Sequence, residues 1–365
     1  MDNLMIFIPL LILLPTYIAT MFVPYWTRRT ESFGVSIPEE KYNSAELKQL
    51  RKNYLVIMSI VALAVTIIFI VASIGKSEEV ITTIMTIVII TYLLFSFIIY
   101  LRFHQKMKKL KATANWQQDG KEKIIVSTSF RNEKLIYSNM WFSFSFIITI
   151  GIIIYTLRNY ALLPDQIPMQ YNFFGEVTNW AEKSYRSALM LPVMQLFLTL
   201  MFLFLNATIQ RAKQQINKPS PLDLKRNAIF RRRWSLFLII AGNSIVGLLA
   251  LIQLSFFHPI DQSTMMFISL LFTLGILAYA IILSFTTGQG GSRVTIVDDE
   301  EEKMINRDDD RYWKLGIFYF NREDPALFLE KRFGVGWTIN LARPLAWTIF
   351  LLIIGLAILI PILFS

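Results

Sequence analysis

Side chains suited to acid–base, metal or nucleophilic chemistry are few and widely spaced in this sequence. It has no cysteine and only two histidines, His104 and His258, each at the end of an apolar stretch. No HExxH pair of zinc ligands occurs, and a serine–histidine site would have only these two imidazoles to recruit. The glycine-rich GQGGSR at 288–293 lacks the lysine and the spacing of a phosphate-binding loop. We therefore expect a protein without enzymatic activity, bound metal or cofactor.

Uncharged polar side chains inside the apolar stretches form a second candidate group. The stretches contain no Asp, Glu, Lys, Arg or His, but they hold polar residues that include Gln195, Asn206, Asn243, Ser244 and Gln253. Charged groups within a membrane mark ion or proton paths, so their absence argues against ion-coupled transport. Polar residues at such positions usually form hydrogen bonds between helices. A polar cavity near Asn206 and Asn243 is the alternative.

The segment LPDQIPMQYNFFGEVTNWAEKS, residues 163–184, forms a third group. Its prolines fix φ, Asn172 and Gly175 bracket a turn, and Trp180 and Lys183 close the segment, so we expect a definite shape. Two interpretations stay open. The aromatic residues could lie at headgroup level as an aromatic belt, or they could anchor a ligand, with Asn172 and Lys183 as polar contacts.

Membrane-spanning helices must position these groups. The 365-residue chain is 54% hydrophobic and only 17% charged, and its apolar residues lie in blocks. A helix needs about 20 apolar residues to cross a bilayer, and eight stretches qualify. They are residues 4–25, 54–74, 80–101, 139–157, 187–207, 234–257, 265–285 and 345–364. The predicted fold class is an all-α polytopic membrane protein with about eight transmembrane helices and a small cytoplasmic β meander.

The net charge of +10 is distributed unevenly along the chain. The connections after spans 1, 3, 5 and 7 carry 32 of the 36 Lys and Arg residues, and the other connections carry 4. The positive-inside rule places the basic connections in the cytoplasm. Both termini and residues 163–184 are then extracytoplasmic in a multi-pass plasma-membrane protein. The basic clusters fit topology determination and attraction to the lipid bilayer rather than nucleic-acid binding.

The basic connections contain recognisable local elements. In residues 37–54, Pro38 followed by two glutamates predicts a helix start that leads directly into span 2. Residues 122–130, EKIIVSTSF, have the β-branched composition of a strand. Residues 288–303 contain a flexible glycine stretch, a short strand and an acidic run.

The region before span 8, residues 307–344, is rich in aromatic residues and turns. GIFYF and ALFLEKR flank the turn-forming NREDP, and FGVGW supplies a glycine turn before TINLA. This order predicts a three-stranded meander. Its aromatic residues could pack a small core, or they could offer a cytoplasmic partner a surface for strand addition.

These observations divide the chain into four segments. Residues 1–138 hold spans 1–3 with their basic connections, and residues 139–210 hold spans 4 and 5 with the extracellular loop 158–186. Residues 211–306 hold spans 6 and 7 with a cytoplasmic linker. Residues 307–365 hold the aromatic region and span 8.

The segment 163–184 resembles the LPxxIPxHxNxxGxxDxWxxK motif of SdpI-like bacterial membrane proteins. The matching positions, which the resemblance makes candidate ligand-binding residues, are Leu163, Pro164, Ile167, Pro168, Asn172, Gly175, Trp180 and Lys183. Gln170 stands where the family often has His, and Thr178 stands where it often has Asp. Any proton-linked or metal-linked behaviour of those family residues is not expected here.

Residues 312–344 are similar to a second, uncharacterised module of longer relatives, with YWKxGxFYxN and DPxxFxxKRxGxGWTxN patterns. The candidate partner-binding residues on these patterns are Trp313, Gly316, Tyr319, Asn321, Asp324, Lys331, Arg332, Gly334, Gly336, Trp337 and Asn340. The chain as a whole looks like a long SdpI-like protein of Gram-positive type.

The resemblance implies immunity against, or sensing of, an extracellular membrane-active peptide or envelope stress, with a cytoplasmic regulator as partner. One alternative is a permease or exporter component that moves a small lipid or peptide, with a soluble subunit bound in the cytoplasm. Another is a membrane scaffold for a soluble partner.

Overall fold

The computed structural model describes residues 2–114, 116, 134–172, 176–214, 221–296 and 310–364. Within these ranges, eight helices are long and apolar enough to cross a membrane, which confirms the predicted polytopic fold class. They are α1 (Asp2–Trp26), α2 (Ala45–Ser73), α3 (Glu78–Thr113), α4 (Ser143–Arg158, preceded by the 3-10 turn Asn139–Phe142 that completes its span), α6 (Met190–Arg211), α7 (Pro221–Ser255), α8 (Gln262–Thr287) and α9 (Pro344–Phe364). A single-turn helix, α5 (Tyr185–Ala188), precedes α6.

The start of α2 differs from the sequence prediction. Pro38 precedes only a short 3-10 turn, Glu39–Lys41, and α2 begins at Ala45. The reason is the side chain of Ser44, which accepts a hydrogen bond from the backbone N–H of Leu47 and thereby caps the helix. From Ala45 the helix continues without a break into span 2, as predicted.

Helix α3 is longer than a membrane span and so carries charged residues beyond the bilayer. It contains 36 residues, and a rise of about 1.5 Å per residue makes it roughly 54 Å long. The hydrocarbon core of a bilayer is only about 30 Å thick. Its apolar sequence ends at Leu101, so residues 102–113 extend past the membrane boundary.

Packing groups the residues into two compact units, each assembled from segments distant in sequence. Unit 1 comprises Met1–Lys134, Ala212–Arg231 and Ala280–Ala346, and unit 2 comprises Leu135–Arg211, Arg232–Tyr279 and Trp347–Ser365. The division into four consecutive segments remains a prediction about the order of elements along the chain.

An aromatic cluster forms the centre of unit 1. The ring of Phe33 is fully buried and its centroid lies 5.4 Å from that of Tyr54 in α2 and 5.3 Å from that of Phe103 in α3. Phe333, from the region before α9, stacks on Phe33 at 6.0 Å and lies 4.5 Å from Tyr100 of α3. Aromatic pairs at such distances stabilise a core beyond the burial of their area. The first connection and the C-terminal region therefore share one core.

The described residues contain four short antiparallel hairpins. They are β1 (Glu31–Ser32) with β2 (Val35–Ser36), β3 (Gln166–Tyr171) with β4 (Val177–Glu182), β5 (Trp313–Lys314) with β6 (Phe318–Tyr319), and β7 (Phe328–Glu330) with β8 (Trp337–Ile339). The predicted β region before span 8 is confirmed, but it consists of two hairpins instead of one three-stranded meander. The reason is that residues 321–326 wrap around Asn340, whose amide donates to the carbonyls of Asn321, Asp324 and Ala326.

The glycine stretch after α8 has a defined conformation and not the predicted flexibility. The side chain of Gln289 is fully buried, donates to the carbonyls of Lys331 and Gly336, and accepts from the N–H of Gly336. Gly291 has φ +84°, and a Cβ there would lie 2.2 Å from the carbonyl oxygen of Arg226. Glycine is required because only its backbone can approach so closely.

Hydrogen bonds between polar residues connect the helices of unit 2, as the sequence predicts. Asn243 of α7 accepts from the hydroxyl of Ser145 in α4 at 2.9 Å. Gln253 of α7 donates to the hydroxyl of Thr156 in α4 at 3.3 Å. Asn206 of α6 donates to the 3-10 turn that precedes α4. Oδ1 of Asn206 has no hydrogen-bond partner within the described residues, so the polar cavity near Asn206 and Asn243 remains a prediction.

Three predicted features lie wholly or partly outside the described residues. They are the strand at 122–130, the acidic run at 298–303 and the turn residue Gly175. Of the short strand predicted after the glycine stretch, the described residues 294–296 are not in a strand.

Candidate functional sites

The segment singled out between spans 4 and 5 forms the hairpin β3–β4 in unit 2. Ile167 pairs with Ala181, and Pro168 pairs with Trp180. Because side chains alternate across a strand, the two pairs lie on opposite faces. Ile167 is fully buried against Leu163, whereas Trp180 is 50% exposed. The hairpin thus has one anchoring face and one outward face.

Asn172 and Glu176 close the end of the hairpin. The backbone N–H of Asn172 donates to the carbonyl of Glu176, and the N–H of Glu176 donates to Oδ1 of Asn172, both at 2.8 Å. The amide of Asn172 also donates to the Glu176 carboxylate at 2.8 Å. Asn172 therefore serves the turn, as Asn side chains commonly do.

Lys183 stabilises the base of the hairpin through hydrogen bonds. Its ammonium donates to the carbonyls of Leu163 at 2.7 Å and Ala161 at 3.1 Å, and it lies 5.3 Å from the ring centroid of Tyr160. Residues Tyr160–Leu162 form a 3-10 helix, whose last carbonyls need partners outside the helix. Lys183 supplies them and so fixes the angle at which the hairpin leaves α4.

The motif is therefore mainly a set of residues that define the shape of the hairpin. Leu163 and Ile167 anchor it, and Asn172 and Lys183 make its internal hydrogen bonds, while Trp180 faces outward. A ligand-binding role for the eight motif positions remains a prediction. Among them, Trp180 is the exposed side chain with the largest contact area to offer.

A buried ion cluster in unit 1 is the second candidate site. Glu330 of β7 has no exposed surface, and its carboxylate contacts the guanidinium groups of Arg28 and Arg231 and the amide of Asn227. The distances to Arg231 and Asn227 are 2.9 and 2.8 Å. Burial lowers the pKa of Arg28, although the nearby Glu31 carboxylate opposes this shift. One buried anion thus holds together three separate parts of the chain.

Asp310 is the second carboxylate of the same cluster that pairs with more than one cation. Its carboxylate pairs with the guanidinium of Arg332 and with the ammonium of Lys111 at 2.8 Å, and it accepts from the N–H and hydroxyl of Ser36 at 3.1 Å. Glu31 lies 3.9 Å from Arg332. Burial raises the pKa of Glu31 to about 7, although Arg28 and Arg332 partly oppose this.

Asp324 organises the hairpins before α9. It accepts from the ammonium of Lys213 at 2.7 Å, from the phenol of Tyr319 at 2.8 Å and from the N–H of Ala326 at 3.0 Å. Burial would raise the pKa of this carboxyl, but the three hydrogen bonds outweigh burial and hold the pKa below its ordinary value. Asp324 is therefore ionised in the folded protein at neutral pH.

Most of the predicted partner-binding residues lie inside this region. The buried members are Trp313, Gly316, Tyr319, Asp324, Arg332, Gly334 and Asn340. Gly316, Gly334 and Gly336 adopt positive φ, a conformation in which glycine is favoured. Lys331 is exposed, and Asn321, Gly336 and Trp337 are half-buried. The pattern thus encodes the local fold, and contact with a partner remains a prediction.

Among the acidic and basic residues of the ion cluster, only Arg332 lies on a sequence pattern that predicted a role, as a candidate partner-binding residue. Arg28, Arg231 and Lys111 belong to the basic connections, whose charge pattern predicts mainly topology, and no local pattern distinguishes Glu330 from the exposed Glu323. An isolated acidic residue at the end of an apolar strand, as in LFLE, was the one available signal.

Fold and sites together define a multi-pass α-helical membrane protein with an ordered hairpin between α4 and α6 and a buried ion cluster in unit 1. Residues 147–196, which contain the hairpin, match a domain of unknown function (DUF1648). Residues 322–347, which contain β7, β8 and Asp324, match a family of unknown function (DUF5808). No curated protein and no solved structure matches the chain. The matches overlap the two motif-bearing segments, residues 163–184 and 312–344, and the resemblance to SdpI-like proteins remains a prediction.

Proposed function

We propose that this protein is a non-enzymatic plasma-membrane protein that recognises an extracellular membrane-active peptide through the hairpin β3–β4. Recognition would confer resistance to the peptide or report envelope stress. The observation that carries the proposal is that different residues of the hairpin stabilise its shape and face outward. Asn172 and Lys183 make its internal bonds, while Trp180 is half exposed on the outward face.

The hairpin has the features of a peptide-binding element. In the described residues it is a two-stranded sheet, so each strand has an outer edge to which an extended peptide could add by backbone hydrogen bonds. A partly exposed tryptophan beside such an edge is a typical anchor, because it buries a large rigid surface on binding. The charge distribution supports an extracytoplasmic position for the hairpin, since the connection that contains it carries few basic residues.

Survival of a sensitive bacterial host exposed to a panel of membrane-active peptides tests the proposal. Trp180→Ala removes the anchor, and Leu162→Ala is a matched control because Leu162 is 70% exposed and lies outside the strands. Loss of a tryptophan anchor costs about 2 kcal/mol or more, or roughly 30-fold in affinity. We expect Trp180→Ala to abolish protection and Leu162→Ala to retain it at equal membrane abundance. Equal protection by wild type and Trp180→Ala would refute the proposal.

A permease is the second candidate, favoured by buried polar atoms in unit 2. Gln195 of α6 is fully buried, and both atoms of its amide lack a hydrogen-bond partner within the described residues. The hydroxyl of Thr149 in α4 and Oε1 of Gln253 in α7 are also unpaired there. Polar groups inside a membrane often mark a path for polar substrates.

Gln195→Leu distinguishes the two candidate functions. If the amide only adds a desolvated polar group, its replacement should raise the unfolding temperature and leave peptide resistance unchanged. Asn206→Leu is the contrast, because Asn206 makes interhelical hydrogen bonds and its loss should lower the unfolding temperature. Loss of peptide resistance in a Gln195→Leu protein that is folded and has a raised unfolding temperature would favour the permease.

A further inference from the structure

A cleft of about 540 Å³ lies in unit 1 between the end of α3 and residues 310–315. We propose that this cleft binds the phosphate headgroup of an anionic membrane phospholipid. The charge of its lining, its continuity with the lipid-facing side of α3 and its position at the membrane boundary carry the proposal, and none depends on the peptide-binding role of the hairpin.

The lining of the cleft is positively charged. Lys108, Arg311 and Lys314 line it and are exposed. Among the described residues that line the cleft, the one acidic side chain is Asp310, which pairs with Lys111 and Arg332, so its charge is already compensated. A phosphate group carries the complementary charge and accepts hydrogen bonds from lysine and arginine.

The cleft continues a lipid-facing stripe on α3. Leu94 and Ile98 are 59% and 47% exposed, and Leu101, Gln105 and Lys108 line the cleft. The spacing of 4, 3, 4 and 3 residues places all five on one helix face. An acyl chain in contact with Leu94 and Ile98 would leave the headgroup about 10 Å further along the helix, at the level of Gln105.

The cleft lies where a headgroup would be. Leu101 is the last residue of the apolar part of α3, and the opposite wall presents Leu315, which is 48% exposed. The lining is thus apolar on the membrane side and basic beyond it. The headgroup and acyl chain of a lipid would contact both the basic and the apolar parts of the lining, whereas a soluble phosphorylated compound would contact only the basic part. For this reason we assign the site to a lipid.

Contacts beneath the cleft hold it in shape. His104 hydrogen-bonds through Nδ1 to the carbonyl of Phe33 at 2.7 Å, and the hydroxyl of Tyr100 donates to the carbonyl of Leu315 at 2.9 Å. The guanidinium of Arg332 lies 5.2 Å from the ring centroid of Trp313. Because these contacts join protein groups to one another, they fix the walls of the cleft, and little ordering would oppose binding.

Native mass spectrometry of the full-length protein with added phosphatidylglycerol or phosphatidylcholine tests the site. The test variant is Lys108→Gln with Lys314→Gln. The control is Lys48→Gln with Lys52→Gln, which removes the same charge from exposed positions on α2. Each basic residue near a membrane surface contributes about 1 kcal/mol, or roughly fivefold in binding. We expect phosphatidylglycerol retention to fall at least about 10-fold in the test variant and less than about twofold in the control, with phosphatidylcholine retention unchanged in both.

Two outcomes would overturn the proposal. An equal loss of phosphatidylglycerol in both variants would mean that overall charge, and not the cleft, attracts the lipid. Displacement of phosphatidylglycerol by millimolar inorganic phosphate would assign the cleft to a soluble phosphate compound. Both variants change exposed side chains, so unchanged unfolding temperatures should confirm that each remains folded.

Discussion

Replacing Glu330 by Gln should strongly destabilise the protein, because the Glu330 carboxylate contacts two buried cations, Arg28 and Arg231. Among the described residues, the side chain of Glu330 is entirely buried and that of Arg231 is too, while that of Arg28 is 9% exposed. Gln preserves the shape and can still accept from Asn227, but it removes the negative charge. Breaking a buried ion pair by removing one partner costs about 3–5 kcal/mol, because a charge remains without compensation.

Thermal unfolding in detergent, followed by tryptophan fluorescence, measures this cost. The entropy of unfolding is about 2.1 cal/mol/K per residue, so for the 365 residues of this chain 1 kcal/mol corresponds to roughly 1.3 °C. A loss of about 3 kcal/mol therefore predicts a decrease of at least roughly 4 °C. Glu323→Gln is the matched control, because Glu323 is exposed in the same region and should shift the midpoint by less than about 1 °C.

A double substitution separates charge compensation from packing. Arg231→Met with Glu330→Gln should be more stable than the sum of the single substitutions implies, since one uncompensated cation is removed together with the anion. An unfolding midpoint of Glu330→Gln within about 1 °C of wild type would refute the idea that Glu330 neutralises buried charge. If the stability changes of the two single substitutions add strictly in the double variant, the coupling between Glu330 and Arg231 would be refuted.

Three further predictions follow from other contacts. Gly316→Ala should destabilise the protein by about 1–3 kcal/mol, because Gly316 has φ +74° and a Cβ would lie 2.6 Å from the Tyr100 hydroxyl. Gly275→Ala in α8, where no atom lies within 4 Å of an added Cβ, should be neutral or slightly stabilising in the same unfolding assay. The unfolding temperature should fall as pH rises from 5 to 7.5, because the pKa of Glu31 is raised to about 7 in the folded state and the folded state therefore binds a proton that the unfolded state releases. Glu31→Gln should flatten this pH dependence. An unchanged slope in Glu31→Gln would contradict the assignment of the pH dependence to Glu31. Because the sequence has no cysteine, single cysteines report topology: a membrane-impermeant maleimide should label Thr178→Cys but not Glu323→Cys in intact cells, and the reverse result would invert the orientation.

The sequence alone determined the number of membrane helices within the described residues and the position of each apolar block, whereas α2, α3 and α7 extend well beyond those blocks. A helix in a bilayer must satisfy its backbone internally and cover about 20 residues with apolar side chains, so blocks such as residues 54–74 identify a span without any knowledge of its neighbours. The sequence also predicted a definite shape and a turn after Asn172 for residues 163–184, because prolines and turn residues act locally, whereas the pairing of β3 with β4 is known only from the structure.

The tertiary structure decided which polar residues form sites. Arg28, Arg231 and Glu330 are separated by 99 residues or more, and no local pattern indicates that they meet. Ion pairs require only proximity in space, and that proximity is set by how α1, α7 and β7 pack. For the same reason, the sequence could identify Lys183 as important but not that its ammonium binds the carbonyls of Leu163 and Ala161. Local chemistry specified the elements, and packing assigned the partners of each charge.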